Sequence, residues 1–186
     1  VVDLGTGSGD APRALHETKG IAMGLGLDAS PEMLKNARDY TDTGRVGFLR
    51  GDFDTLPFAT NSVDHIWSME AIYYAQDPVS ALSEVKRILR PGGTFFCAVN
   101  FFEESQHTHE WQEFIEIDMT LWNRQQYREA FRSAGLFVAE QDTIPDREIS
   151  IPAASEFPIE DWDSRDTMVD RYRDWGTLLT VGVAPE

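Results

Sequence analysis

The chain of 186 residues contains one cysteine, Cys97, which excludes an intrachain disulfide and a CxxC-type metal site. Lysine is scarce: Lys19, Lys35 and Lys86 are the only ones among 16 basic residues, which face 32 acids for a net charge of −16. No basic stripe is present to follow a phosphate backbone, which counts against a nucleic-acid partner. No apolar run approaches the length of a membrane span, and no signal peptide is visible. The expected setting is therefore cytoplasmic. Internal repeats and low-complexity tracts are also missing. The acids are dispersed rather than gathered in a tail. Dispersed acids with little lysine read as the surface of a halophile, where salt screens self-repulsion. Residue 1 is not Met and lies inside an apolar run, so a preceding segment is expected to be missing. The length suits a single α/β domain over residues 1–186.

The stretch that organises the rest is Val1-Val2-Asp3-Leu4-Gly5-Thr6-Gly7-Ser8-Gly9. Two β-branched residues run into an acid and then into glycines at every second position. This pattern predicts a buried strand, a tight loop and, over Asp10 to Thr18, a helix that tolerates Pro12 in its first turn. Strand, loop and helix N-terminus together form a pocket of backbone N–H groups at a positive dipole end. The spacing is G-x-G-x-G rather than the dinucleotide fingerprint G-x-G-x-x-G. Asp3, two residues ahead of the first glycine, would repel a pyrophosphate but suits an ammonium or sulfonium ligand.

A second apolar run, Ile21 to Leu27, ends at Asp28, a carboxylate placed to accept hydrogen bonds from ribose hydroxyls. Ser30-Pro31-Glu32 opens a helix, with Ser at the N-cap and Pro at the first position; Met33, Leu34 and Ala37 form its expected inner face. Arg45 to Arg50 reads as a third strand and leads into Gly51-Asp52-Phe53. Leu56-Pro57-Phe58 and Ser62-Val63-Asp64-His65-Ile66-Trp67-Ser68 follow, and the fourth strand ends near Ser68-Met69-Glu70-Ala71-Ile72-Tyr73-Tyr74. Asp77-Pro78 caps a helix with Val79, Leu82, Val85 and Leu89 inward, stopped by Arg90-Pro91-Gly92-Gly93, a turn that launches a strand from Thr94 to Asn100.

The glycine loop, Asp28, Gly51-Asp52 and Ile88-Leu89-Arg90-Pro91-Gly92-Gly93-Thr94-Phe95 together resemble the class I S-adenosylmethionine (SAM) dependent methyltransferases. Within that class the similarity is to the type 11, ubiquinone/menaquinone C-methyltransferase-like branch, and it covers roughly residues 1–100. The resemblance implies a doubly wound, Rossmann-like α/β fold. Its seven-stranded sheet has the order 3-2-1-4-5-7-6, mostly parallel with an antiparallel last strand. It implies SAM as cofactor, held at its methionine end by Asp3 and the backbone of Gly5, Thr6, Gly7, Gly9, Ser68 and Met69. Asp28 with Ala29 would hold the ribose, and Met33, Gly51, Asp52 and Phe53 the adenine.

The loop after the fourth strand discriminates between subfamilies. It lacks the Asp/Asn-Pro-Pro-aromatic run of base methyltransferases and the paired glutamates of protein arginine methyltransferases. No set of Asp/Asn ligands for a catechol-type metal is visible, so no metal site is expected. The expected activity is transfer of a methyl group to a small-molecule acceptor by in-line displacement. Glu70 is the candidate base, with Tyr73 and His107 behind it. The acceptor atom and the oligomeric state are not legible. Two other readings stay open: a SAM-binding module without catalysis, and an NAD-dependent oxidoreductase. The latter is opposed by the glycine spacing, Asp3 and the lack of Tyr-x-x-x-Lys.

Beyond Asn100 the pattern is looser. Residues 101–121 and 144–176 read as substrate-side insertions, the first carrying His107 and His109 beside Glu103, Glu104 and Glu110. Tyr73, Tyr74, Trp111 and Trp122 are candidates for an aromatic acceptor pocket. Asn123 is expected to cap a helix ended by Gly135, followed by a strand from Leu136 to Asp142. A helix over Ile159–Trp175 and a last strand over Thr177–Val183 complete the reading.

Overall fold

The structure, a computed structural model, describes residues 1–18, 20–115 and 117–186. The first half alternates strand and helix: β1 (Val2–Leu4), α1 (Asp10–His16), β2 (Gly24–Asp28), α2 (Pro31–Asp39), β3 (Val46–Arg50), β4 (Val63–Met69), α3 (Pro78–Ile88) and β5 (Leu89–Val99). The second half adds a short α4 (Trp111–Phe114), α5 (Arg124–Ser133), β6 (Phe137–Ile144), α6 (Arg165–Val169) and β7 (Thr177–Val183). The strands form one sheet in the order β3-β2-β1-β4-β5-β7-β6. Pairings from β3 to β5 are parallel; β7 runs antiparallel to both β5 and β6. This is the architecture that the resemblance implies. Among the described residues no helix is long and apolar enough to cross a membrane.

Apolar burial accounts for the layers. Leu4, Leu27, Ile66, Phe95 and Leu178 lie in the sheet and are almost wholly buried. Ala81, Leu82, Val85 and Ile88 fall on one face of α3 at helical spacing and are buried with them. Each large side chain removed from water contributes roughly 1.5–3 kcal/mol. On the other half, Phe131 of α5 stacks on Phe95 of β5 at 5.5 Å between ring centroids.

The helix starts carry the expected caps. Asp77 Oδ1 accepts from the backbone N–H groups of Val79 and Ser80 at 3.0 and 3.2 Å. At α5 the Asn123 side chain accepts from Gln126 N–H at 2.9 Å, and the Gln126 side chain accepts in return from Asn123 N–H at 2.8 Å.

Three expectations need correction. The Arg90-Pro91-Gly92-Gly93 turn lies inside β5 as a bulge: β4 advances from Val63 to His65 while β5 advances from Leu89 to Thr94. Met33 is not core; it is 44% exposed, and the inner face of α2 is Leu34 and Ala37. The helix expected from Ile159 begins only at Arg165, because Asp161 adopts a left-handed turn and Ser164 supplies the cap, its hydroxyl accepting from Thr167 N–H at 3.3 Å. After Val169 the backbone widens into a π-helical turn over Asp170–Trp175.

Candidate functional site

The C-terminal ends of β1, β2, β3 and β4 meet at a cavity of about 550 Å³. This is the place where open α/β sheets present their loops. The loop after β1 is tied down by its backbone: Gly5 and Thr6 both donate N–H to the Leu27 carbonyl, at 2.8 and 3.0 Å. Gly5 has φ +75°, and a Cβ there would stand 2.1 Å from the Ala71 Cβ. Only glycine lets this loop and the segment after β4 approach so closely.

Asp28 ends β2 on the cavity wall, with Oδ2 accepting from Gly7 N–H and Oδ1 from Ser30 N–H, both at 2.8 Å. Each oxygen retains one acceptor position. Ala29, Met33, Gly51, Asp52 and Phe53 line the same end. Asp52 turns Oδ1 back to the N–H of Asp54 at 3.1 Å, and its Oδ2 takes no hydrogen bond among the described residues.

The opposite end is formed by Gly5, Glu70, Ala71 and Tyr74, then Ala75, Gln76 and Ile117. Glu70 Oε2 accepts from the Tyr73 hydroxyl at 3.0 Å and Oε1 from Asn100 N–H. Burial pushes the Glu70 carboxyl up to about 7, although the Tyr73 and Asn100 donors and the charge of Arg171 all favour its ionised form. Burial and the neighbouring Glu70 charge raise the Tyr73 hydroxyl further above its ordinary value.

Several residues singled out from the sequence stand behind the wall instead of on it. Asp3 is only 2% exposed, and burial pushes its carboxyl up to about 6, the Thr6 hydroxyl opposing that shift. Thr6 is itself buried under the loop, and a Cβ at Gly9 would meet the Phe48 ring at 2.7 Å. Ser68 is buried and its hydroxyl donates to the Leu4 carbonyl at 2.9 Å, linking β4 to β1. Met69 is half exposed and off the wall; Tyr73 reaches the cavity only through Glu70.

His107 is placed elsewhere, with Nε2 3.5 Å from Asp170 Oδ2 and its ring against Trp162 at 5.5 Å. It ties segment 101–121 to segment 144–176. Among the described residues no group of three or more His, Cys, Asp or Glu side chains is placed to hold a metal ion. Ala75, Gln76, Asn100, Ile117 and Arg171 belong to the site's surroundings but carry no motif. Only Ala71 had a local signal, a small residue following the strand end where Gly5 demands close approach.

Residues 2–97 match the family described as Methyltransferase domain. The chain belongs to this family. Its class I fold and its cofactor, SAM, follow from that membership, and the oxidoreductase reading falls. Cycloartenol-C-24-methyltransferase 1 of Oryza sativa subsp. japonica is 28% identical over 118 residues, which is 59% of this chain and 34% of the rice protein. The chain spans from 26% to 56% of the length of curated relatives that it matches.

Among solved structures, geranyl diphosphate C-methyltransferase from Streptomyces coelicolor shares the fold at TM-score 0.72 and 19% identity, covering 99% of this chain and 69% of that one. The complex between the Haloferax volcanii Trm112 methyltransferase activator and a methyltransferase is far nearer. It has a TM-score of 0.97 and 67% identity over 100% of this chain and 81% of that one. The expectation that partners amount to a small acceptor molecule is corrected by this neighbour, which was solved bound to a protein.

The cavity suits the family's cofactor. Asp28 and Asp52 keep free acceptor positions at one end. Gly7 donates its N–H to Asp28, and a Cβ there would meet nothing within 4 Å, so the loop beside that carboxylate is open. No lysine, arginine or histidine is among the described residues on the wall, so nothing there repels a sulfonium.

Proposed function

We propose that the methyltransferase domain moves the methyl group of SAM to a small acceptor by in-line displacement. The cofactor supplies an electrophilic methyl group whose leaving group is already activated by its positive charge. The protein's task is then to align the partners and keep water out. In this reading Asp28 accepts from the ribose hydroxyls and Asp52 from the adenine amino group, with Met33 and Phe53 packing on the base. Glu70 takes a proton from an acceptor that carries one, held for that purpose by Tyr73 and Asn100.

The observation that carries this reading is a second cavity of about 510 Å³ opening from the Glu70 end. The two cavities share Tyr74, Ala75, Gln76 and Ile117, and the second continues past Asp118, Met119 and Thr120. An acceptor seated there enters beside Glu70 and opposite the cofactor end. Segment 101–121 supplies most of that chamber, in keeping with its reading as a substrate-side insertion.

A protein partner of the Trm112 type is part of the proposal, supported by the 67% identity to the Haloferax volcanii methyltransferase solved with that activator. The same neighbour and the net charge of −16 support a salt-adapted surface. Methyl-labelled SAM, the chain and a Trm112-type partner incubated with a fractionated extract test the acceptor class. Label in the small-molecule fraction is expected; label confined to protein or RNA overturns the small-acceptor reading.

A further inference from the structure

The two ends of the cofactor cavity differ in how their carboxylates are built. At the Asp28 and Asp52 end each carboxylate is fixed by nearby backbone N–H groups. At the other end Glu70 is held by Tyr73, three residues on, and by the distant end of β5. Its backbone is left-handed, φ +54°, with its N–H donating to the Ala98 carbonyl at 2.9 Å. A non-glycine residue there costs free energy, and the bonds around it maintain it. Its carboxylate meets the Tyr73 hydroxyl and the Asn100 N–H. Asn100 is anchored in turn by the Thr177 hydroxyl, donating to Oδ1 at 2.7 Å, and by the Thr108 hydroxyl, donating to its carbonyl at 3.2 Å.

Arg171, 8% exposed on the π-helical turn, donates from Nη1 to the Gly176 carbonyl at 3.0 Å and contributes the positive charge felt by Glu70. The other titratable groups facing Glu70 are Tyr73, Cys97 on β5 and Tyr127 on α5, all raised by burial and so neutral. Arg171 also faces Tyr172 and Asp146. Among the described residues lining the Gly5 and Ala71 end of the cavity, Glu70 is thus the charge-bearing group.

We propose that Glu70 reads the charge on the cofactor's sulfur, its carboxylate favouring the sulfonium of SAM over the neutral thioether of S-adenosylhomocysteine (SAH). The inference rests on the cavity being the SAM site. Cofactor and product share the adenosine and the amino-acid end, so the contribution of Asp28 and Asp52 cancels in the ratio of their affinities. What remains is one methyl group and one positive charge. A carboxylate on the partly desolvated wall of the cavity that would hold that charge makes the ratio depend on its own ionisation. The device assists turnover by loosening the product once the charge is gone.

Titration calorimetry of SAM and of SAH with the full chain, from about pH 5.5 to about 8.5, tests this. The ratio of the SAH to the SAM dissociation constant is expected to rise about tenfold across that range in the wild type. It stays flat in Glu70→Gln, which preserves the acceptor and shape of the side chain. In Tyr73→Phe the rise moves to higher pH, because the carboxylate loses a donor; this variant decides the matter should Glu70→Gln fail to fold. A flat wild-type ratio with both ligands bound overturns the proposal and leaves the cofactor site standing. A rise that persists in Glu70→Gln overturns it too and points to Asp3, the other raised carboxyl near the loop. If neither ligand binds at any pH, the cofactor reading itself fails.

Discussion

The two sides of the sheet's binding edge are held together differently. On the cofactor side, loops after β1, β2 and β3 are fixed by backbone N–H and carbonyl groups a few residues from the strand ends, as with Gly5 and Thr6 on Leu27 or Ser30 on Asp28. On the other side, residues 101–121 and 144–176 are joined by side-chain contacts such as His107 with Asp170 and Trp162, and the second segment is itself held by Arg173 donating to the Asp146 and Ile149 carbonyls. Backbone tethers specify a shape with little regard for most side chains, whereas side-chain tethers depend on each partner. The first side therefore tolerates side-chain change with its shape kept, and the second does not.

The sharpest way to break this contrast is Gly5→Val. Positive φ and a Cβ collision with Ala71 act together, so a loss of roughly 3 kcal/mol or more in unfolding free energy is expected, with loss of SAM binding. Denaturant titration and calorimetry measure it; a normal midpoint would show that the loop is not tethered as described.

Asp28→Ala comes next. In the proposed reading it removes charge-assisted hydrogen bonds to the ribose, and SAM binding is expected to weaken by ~1.5–3 kcal/mol. Calorimetry that finds unchanged affinity would move the ribose site away from β2.

A pH series of stability tests the Glu70 end. The folded carboxyl lies at about 7 against an ordinary 4.5, so the native state binds this proton more tightly than the unfolded chain. Its contribution is full below pH 4.5 and is lost as pH rises to about 7, on the order of 2 kcal/mol once partial solvent access is allowed for. Asp3 acts in the same direction between 3.8 and about 6. Glu70→Gln is expected to flatten the upper part of that slope in denaturant titrations; an unchanged slope would remove Glu70 as its source.

The smallest effect is expected from His107→Ala. Its contact with Asp170 is partly exposed and contributes at most about 1 kcal/mol. SAM affinity should not change while methylation of an acceptor falls. Lost SAM affinity would join the two sides that the structure separates.

Much of the cofactor side was legible in the chain itself. Glycines at alternate positions, the acid ending the second strand and the Gly51-Asp52 pair lie at strand ends, where a short run of residue types signals the turn even though their partners, such as Leu27 for Gly5 and Gly7 for Asp28, are more than twenty residues away. The capped starts of α2, α3 and α5 were legible for the same reason. The residues that stand behind the wall show where such reading stops. Asp3 and Ser68 have the right types in the right order, but burial turns them toward Thr6 and Leu4. His107 carried chemistry in its side chain, yet the fold uses it as a tether.

The sequence by itself determined the glycine loop, the acid that closes the second strand and the helix caps, because local backbone requirements are written in adjacent residues; the strand order came only with the family resemblance. The tertiary structure alone decided what surrounds Glu70. Asn100 lies 30 residues away and Arg171 more than a hundred, and no periodicity or spacing links them. Only the crossing of β4, β5 and β7 brings these groups together, and only in that partly desolvated place does a single carboxylate acquire a charge state that a ligand can alter.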